Sequence, residues 1–232
     1  MKFSQRMAGL SAVASGIFGI LTIGSLVGYL VLRNTSETEG IFIGRFHDAF
    51  AVFQFVFIIP LVFGLSKLSK KTSVEISKTV FSFGIAAAFF TALFLILSFP
   101  KITTVVFYMF PQGIFGVWLM IVNWRMKQIV HPALRWFGII AGLGLALVGT
   151  FVIGFAIFVS MDAIRVPAPP MKYYPQTPAN LFLHQVLYTG SFMGVFTLPA
   201  WTILMGRWLL RKPHSLIHID FTAKEKITSS GD

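Results

Sequence analysis

The run from Ala8 to Leu32, AGLSAVASGIFGILTIGSLVGYLVL, holds no charged residue and is preceded by Lys2 and Arg6. Signal peptides and membrane spans share that basic start. This run is longer than the short apolar region of a signal peptide and lacks its small-residue cleavage site, so it reads as a transmembrane helix. About 20 apolar residues cross the hydrocarbon core, which leaves length to spare for tilt.

Five more runs of this kind follow, over about 46–65, 80–99, 102–124, 136–160 and 179–205. Of 232 residues, 56% are hydrophobic and 12% charged, which excludes an ordinary soluble domain. The expected fold is all-α: a polytopic membrane protein, a bundle of six transmembrane helices over residues 1–212, with residues 213–232 as a polar cytoplasmic tail. Cysteine is absent, so disulfides, thiolate metal sites and covalent haem attachment are excluded. The net charge of +11 does not point to nucleic acid, because the basic residues are scattered at the ends of apolar runs. Arg33, Arg45, Lys101, Arg165 and Lys172 fall on one side of six spans, and the other fourteen Lys and Arg residues fall on the opposite side. The positive-inside rule then places both termini in the cytoplasm.

Small residues recur along three spans: Ala12, Gly16, Gly24 and Gly28 in the first, Gly138, Gly142, Ala146 and Gly149 in the fifth, Gly190 and Gly194 in the sixth. Such ridges let backbones approach closely, within the chain or in a homo-oligomer or membrane-protein partner. Pro60, Pro111 and Pro199 predict bends, since each removes a helical hydrogen bond. The connection 161–180, with Pro167, Pro169, Pro170, Pro175 and Pro178, is expected to form a stiff cap over the bundle. Thr177-Pro178 suits an N-cap and first turn of the sixth helix.

Ionisable and amide groups at membrane depth are costly and mark candidate sites. The second span opens on Gly44-Arg45-Phe46-His47-Asp48-Ala49-Phe50-Ala51-Val52-Phe53-Gln54. On it His47, Ala51 and Gln54 share a face by spacing, and His184, Tyr188 and Ser191 share one on the sixth span at the same depth. If the two faces meet, they line one outer-leaflet cavity. Asp48 lies about 100° from His47 around an ideal helix, so Arg45, Arg165 or a loop amide is its expected partner.

Three chemistries fit these residues besides a purely structural role. A bis-histidine haem would use His47 and His184, with Gly190 or Gly194 making room. A divalent metal would need a third ligand, and no HExxH-like spacing occurs. Arg45 and the histidines at helix N-termini would attract an anionic or lipid head group. No serine-nucleophile motif, phosphate loop, paired carboxylates or dinucleotide fingerprint occurs. The second span is wholly apolar from Phe55 to Leu65, which argues against a transport path.

The segment His131-Pro132-Ala133-Leu134-Arg135-Trp136-Phe137-Gly138-Ile139-Ile140-Ala141-Gly142 resembles a pattern common in small bacterial six-helix membrane proteins of unknown function. With the six-span layout, the resemblance covers most of the chain. It implies a bacterial cytoplasmic membrane and carries over no functional residue. The function expected is non-enzymatic binding of a lipid, small amphiphile or membrane partner between the second and sixth helices. The alternatives are a haem- or metal-binding redox protein using His47 and His184, and a small secondary transporter.

Overall fold

A computed structural model describes residues 2–32, 37–72, 76–100, 102–161, 174 and 176–211. The expected tail at 213–232 and most of the proline-rich connection, Arg165 included, lie outside the described residues. Helices dominate because the apolar runs leave backbone polar groups no partner but each other. They are α1 (Lys2–Leu32), α2 (Glu37–Lys71), α3 (Lys78–Ser98), α4 (Met109–Arg125), α5 (Pro132–Phe158), α6 (Pro178–Val195) and α7 (Thr197–Arg211). Six spans are long and apolar enough to cross a membrane, the sixth running through α6 and α7.

Two prolines act differently from expectation. Pro111 does not kink a long fourth helix. A 3₁₀ turn over Val105–Tyr108 precedes it, and the α-helix proper begins at Met109, so Pro111 is in the first turn. There the missing N–H is one that no carbonyl would have accepted. Pro199 follows an interruption of the sixth span at Phe196, whose backbone stays helical, where its missing N–H leaves the hydrogen-bond ladder between α6 and α7 open. The Thr197 hydroxyl donates to the Met193 carbonyl and the Thr202 hydroxyl to that of Pro199, which satisfies carbonyls around the break. Pro60 is accommodated inside a continuous α2.

Packing follows the small residues. α1 lies on α2 and α7, α7 also on α5, α5 on α4, α4 on α3 and α3 on α2, so these six helices close a ring. α6 stands outside it, packed on α5. A Cβ at Gly113 would sit 2.6 Å from the Gly149 Cα, and one at Gly190 would sit 2.8 Å from the Gly144 carbonyl oxygen. A Cβ at Gly144 would fall on the Gly194 nitrogen. α5 thus presents glycine on two faces, toward α4 and toward α6. α1 uses Gly9 and Gly16 against α7, whereas Gly24 faces open space.

Two serines of α1 fasten it to α2: Ser11 Oγ donates to the Phe57 carbonyl (2.6 Å) and Ser15 Oγ to that of Gln54 (2.9 Å). The ring is filled mainly by Phe55, Ile58, Phe115, Trp118, Leu145, Leu198 and Trp201. Across it Trp201 Nε1 donates to Asn123 Oδ1 (3.2 Å), and Asn123 Nδ2 donates to the Leu119 carbonyl (2.8 Å). Gly138 makes room for this amide.

Gly144→Ala is expected to force α5 and α6 apart, lowering stability by about 1–3 kcal/mol or more. Gly24→Ala should be neutral or up to about 1 kcal/mol stabilising, because alanine is the better helix former. Thermal unfolding in detergent checks both; equal effects would refute the close α5–α6 contact.

Candidate functional site

We call the end of the bundle where α2, α4 and α6 begin the upper end. All the residues singled out from the sequence lie in its upper half, but on separate surfaces. α2 packs on α1 and α3, α6 on α5, and no extended α2–α6 interface forms among the described residues. The expected meeting of His47 and Gln54 with His184, Tyr188 and Ser191 is therefore corrected. The reason is the glycine contact of α6 with α5, which draws the upper part of the sixth span away from α2.

His184 is half-buried. Its Nδ1 is 2.9 Å from the Asn180 carbonyl oxygen, and since a carbonyl only accepts, Nδ1 carries the proton. Phe151 and Phe155 meet the imidazole edge-on, with ring centroids 5.9 and 6.0 Å away. Tyr188 is 69% exposed on the outside of the bundle, and Ser191 is half-buried. This histidine is set into an aromatic α5–α6 interface. Tyr174, from the proline-rich connection, is buried there with its ring against Phe155 at 5.1 Å.

On α2, Arg45 is exposed, whereas the His47 and Asp48 side chains are only 18% and 20% exposed. His47 Nδ1 and Asp48 Oδ1 lie 2.9 Å apart. The expected pairing of Asp48 with Arg45 is thus corrected, because adjacent helical side chains can swing toward each other despite their angular separation. Gln54 is buried between α1 and α7, its Nε2 beside Gly19 and the Pro199 ring.

Asp48, Ala51 and Phe55 form one stripe of α2 by their i, i+3, i+7 spacing, and Phe55 meets Phe115 of α4 at 5.8 Å. Tyr108, Gln112 and Phe115 form the corresponding stripe of α4. Only 6% of Gln112 is exposed. Its Oε1 is buried and has no hydrogen-bond partner.

The floor beneath is apolar. Phe115 stacks on Trp118 at 5.0 Å, with Leu145 and Trp201 beside them. Asp48 near the start of α2 and Gln112 near the start of α4 both lie toward the upper end, above the Phe55–Phe115 contact that joins the two helices. Among the described residues, no group of three His, Asp or Glu could hold a metal ion. The two histidines proposed as haem ligands sit on separate helix pairs, each with its Nδ1 engaged. Sequence reasoning misses Tyr108, Gln112 and Asn123. Gln112 carried a signal, an amide in an apolar run, but its neighbour Pro111 suggested a kink instead.

No protein-family model, curated protein or solved structure matches this chain.

Two substitutions should move stability in opposite directions. Trp201→Phe strands the Asn123 amide oxygen and should lower stability by about 1–3 kcal/mol. Gln112→Leu removes an unpaired buried oxygen and should leave stability unchanged or raise it by a similar amount. Thermal unfolding of the purified variants checks both signs.

Proposed function

We propose that this chain is a multi-pass protein of a bacterial cytoplasmic membrane, with both termini cytoplasmic. It binds a lipid or small amphiphile from the outer leaflet, without catalysis. Six apolar spans and the distribution of basic residues support the placement. With the termini inside, the upper end of the bundle is extracytoplasmic, and the binding crevice of this reading lies there, between the upper ends of α2 and α4.

The observation that carries the binding role is Gln112. An unpaired buried polar atom costs about 1–3 kcal/mol, and the Gln112 oxygen is one of several among the described residues, lying in the upper part of α4 as Asp48, the one carboxylate within the spans, lies in the upper part of α2. A ligand with an apolar body and a polar head satisfies both the oxygens and the apolar floor. That floor, reaching through Phe55, Phe115, Trp118 and Trp201 to the lower half, favours binding over transport. The partner is lipid in preference to a second copy of the chain, because the glycine faces of α5 and α6 are already occupied within the chain.

Topology is tested with single cysteines in the cysteine-free protein: an impermeant maleimide on intact cells should label Gln176→Cys and not Lys127→Cys. The opposite pattern would invert the orientation. Binding is tested with a photoactivatable phospholipid in vesicles containing the full chain. Cross-links should concentrate in residues 46–55 and 108–116; scattering over the outer faces of α1 and α6 alone would reject the crevice.

A further inference from the structure

We infer that the turn between α4 and α5, at the lower end of the bundle, holds the phosphate of an anionic phospholipid through Arg125, Lys127, His131 and Arg135. The site lies at the opposite end from the proposed crevice and does not depend on it. Its centre is Arg135. This side chain is half-buried at the start of α5, its Nε is enclosed with no hydrogen-bond partner, and among the described residues its guanidinium makes no ion pair. A guanidinium offers only N–H donors, and one drawn out of water without an anion is costly. Topology accounts for basic residues that stay in water at the ends of spans. It does not account for one turned into the protein with a donor unmet.

The neighbours of Arg135 are donors as well. Its backbone N–H donates to the His131 carbonyl (3.1 Å), which sets the two residues one helical turn apart. The exposed His131 accepts from the Ala133 N–H through Nδ1 (3.3 Å), so its Nε2 carries the proton. A Cβ at Gly138 would fall on the Asn123 amide of α4. Arg125, two residues further along α4, and Arg135, three residues before Gly138, therefore lie at one level. Lys127 follows in the turn, and both it and Arg125 are exposed. In the lower-end segments 1–12, 64–84, 120–140 and 203–212 the one acidic residue is Glu75, which lies outside the described residues. Trp124 and Trp136 flank the turn, 61% and 53% exposed, and tryptophan at the end of a span marks the head-group level. A basic cluster between spans at that level suits an acidic head group. The phosphate brings acceptor oxygens and negative charge, and the exposed Ile121, Phe137 and Ile140 leave apolar surface for the acyl chains.

Native mass spectrometry of the full-length protein in detergent, titrated with short-chain phosphatidylglycerol, short-chain phosphatidylcholine and inorganic phosphate, tests the site. Phosphatidylglycerol is expected to bind about tenfold more tightly than phosphatidylcholine, whose choline the same cations repel. Arg135→Gln should remove most of that preference. Arg6→Gln, which neutralises an exposed cation of the same end on α1, should leave it intact. Equal losses from the two substitutions would mean a diffuse basic rim and overturn the site, as would a preference that survives Arg135→Gln. Equal binding of the two lipids by the unaltered protein overturns it without any variant. Inorganic phosphate binding as tightly as phosphatidylglycerol, with the same loss on Arg135→Gln, would overturn the lipid as occupant. If Arg135→Gln fails to fold, Arg125→Gln against Arg6→Gln makes the same contrast.

Discussion

Backbone-to-backbone contact at the glycines of α5 governs this bundle. In lipid, helices gain little from burying apolar side chains against one another, since the tails they displace are equally apolar. Association depends on close van der Waals fit, which glycine allows. Gly113 meets Gly149 and Gly116 meets Gly142 on one side of α5, while Gly190 and Gly194 meet Gly144 on another. Two neighbours are thereby held by one helix at distances where a single methyl group on either has no space.

The architecture of the sixth span follows. Its upper part is committed to α5, and its lower part to α1 through Gly9, Gly16 and Gly206. One straight helix does not serve both, and the chain breaks at Phe196, just before Pro199. Proline removes the donor that would have tied the two pieces together, and threonine hydroxyls take up local carbonyls instead. The break also delivers Trp201 to the ring interior, where its indole N–H finds Asn123. That hydrogen bond and the aromatic stack of Phe115 and Trp118 seal the bundle below the crevice.

Above the seal, polar groups are not satisfied in the same way. Asn123 and the α1 serines have partners; the Gln112 oxygen has none. Among the described residues Thr104 Oγ1, Trp118 Nε1 and Arg135 Nε are likewise buried with no hydrogen-bond partner. A leucine at 112 would fit the bundle's composition and leave no unpaired oxygen.

Membrane character, the number of spans and their approximate limits are legible in the sequence, because hydropathy over some twenty residues is a local property that lipid selects directly. The glycine ridges are legible too, and they announce close contact without naming the partner. Spacing along α2 places His47 with Gln54 and sets Asp48 apart, which is correct for an isolated helix. Only the tertiary structure decides that His47 and Asp48 turn to each other and that Gln54 is buried between α1 and α7. It likewise decides that α6 belongs to α5 and that Pro111 starts a helix. Each of these depends on which helix lies beside which, and that depends on pairwise fit between surfaces distant in sequence. No local window of residues contains that information.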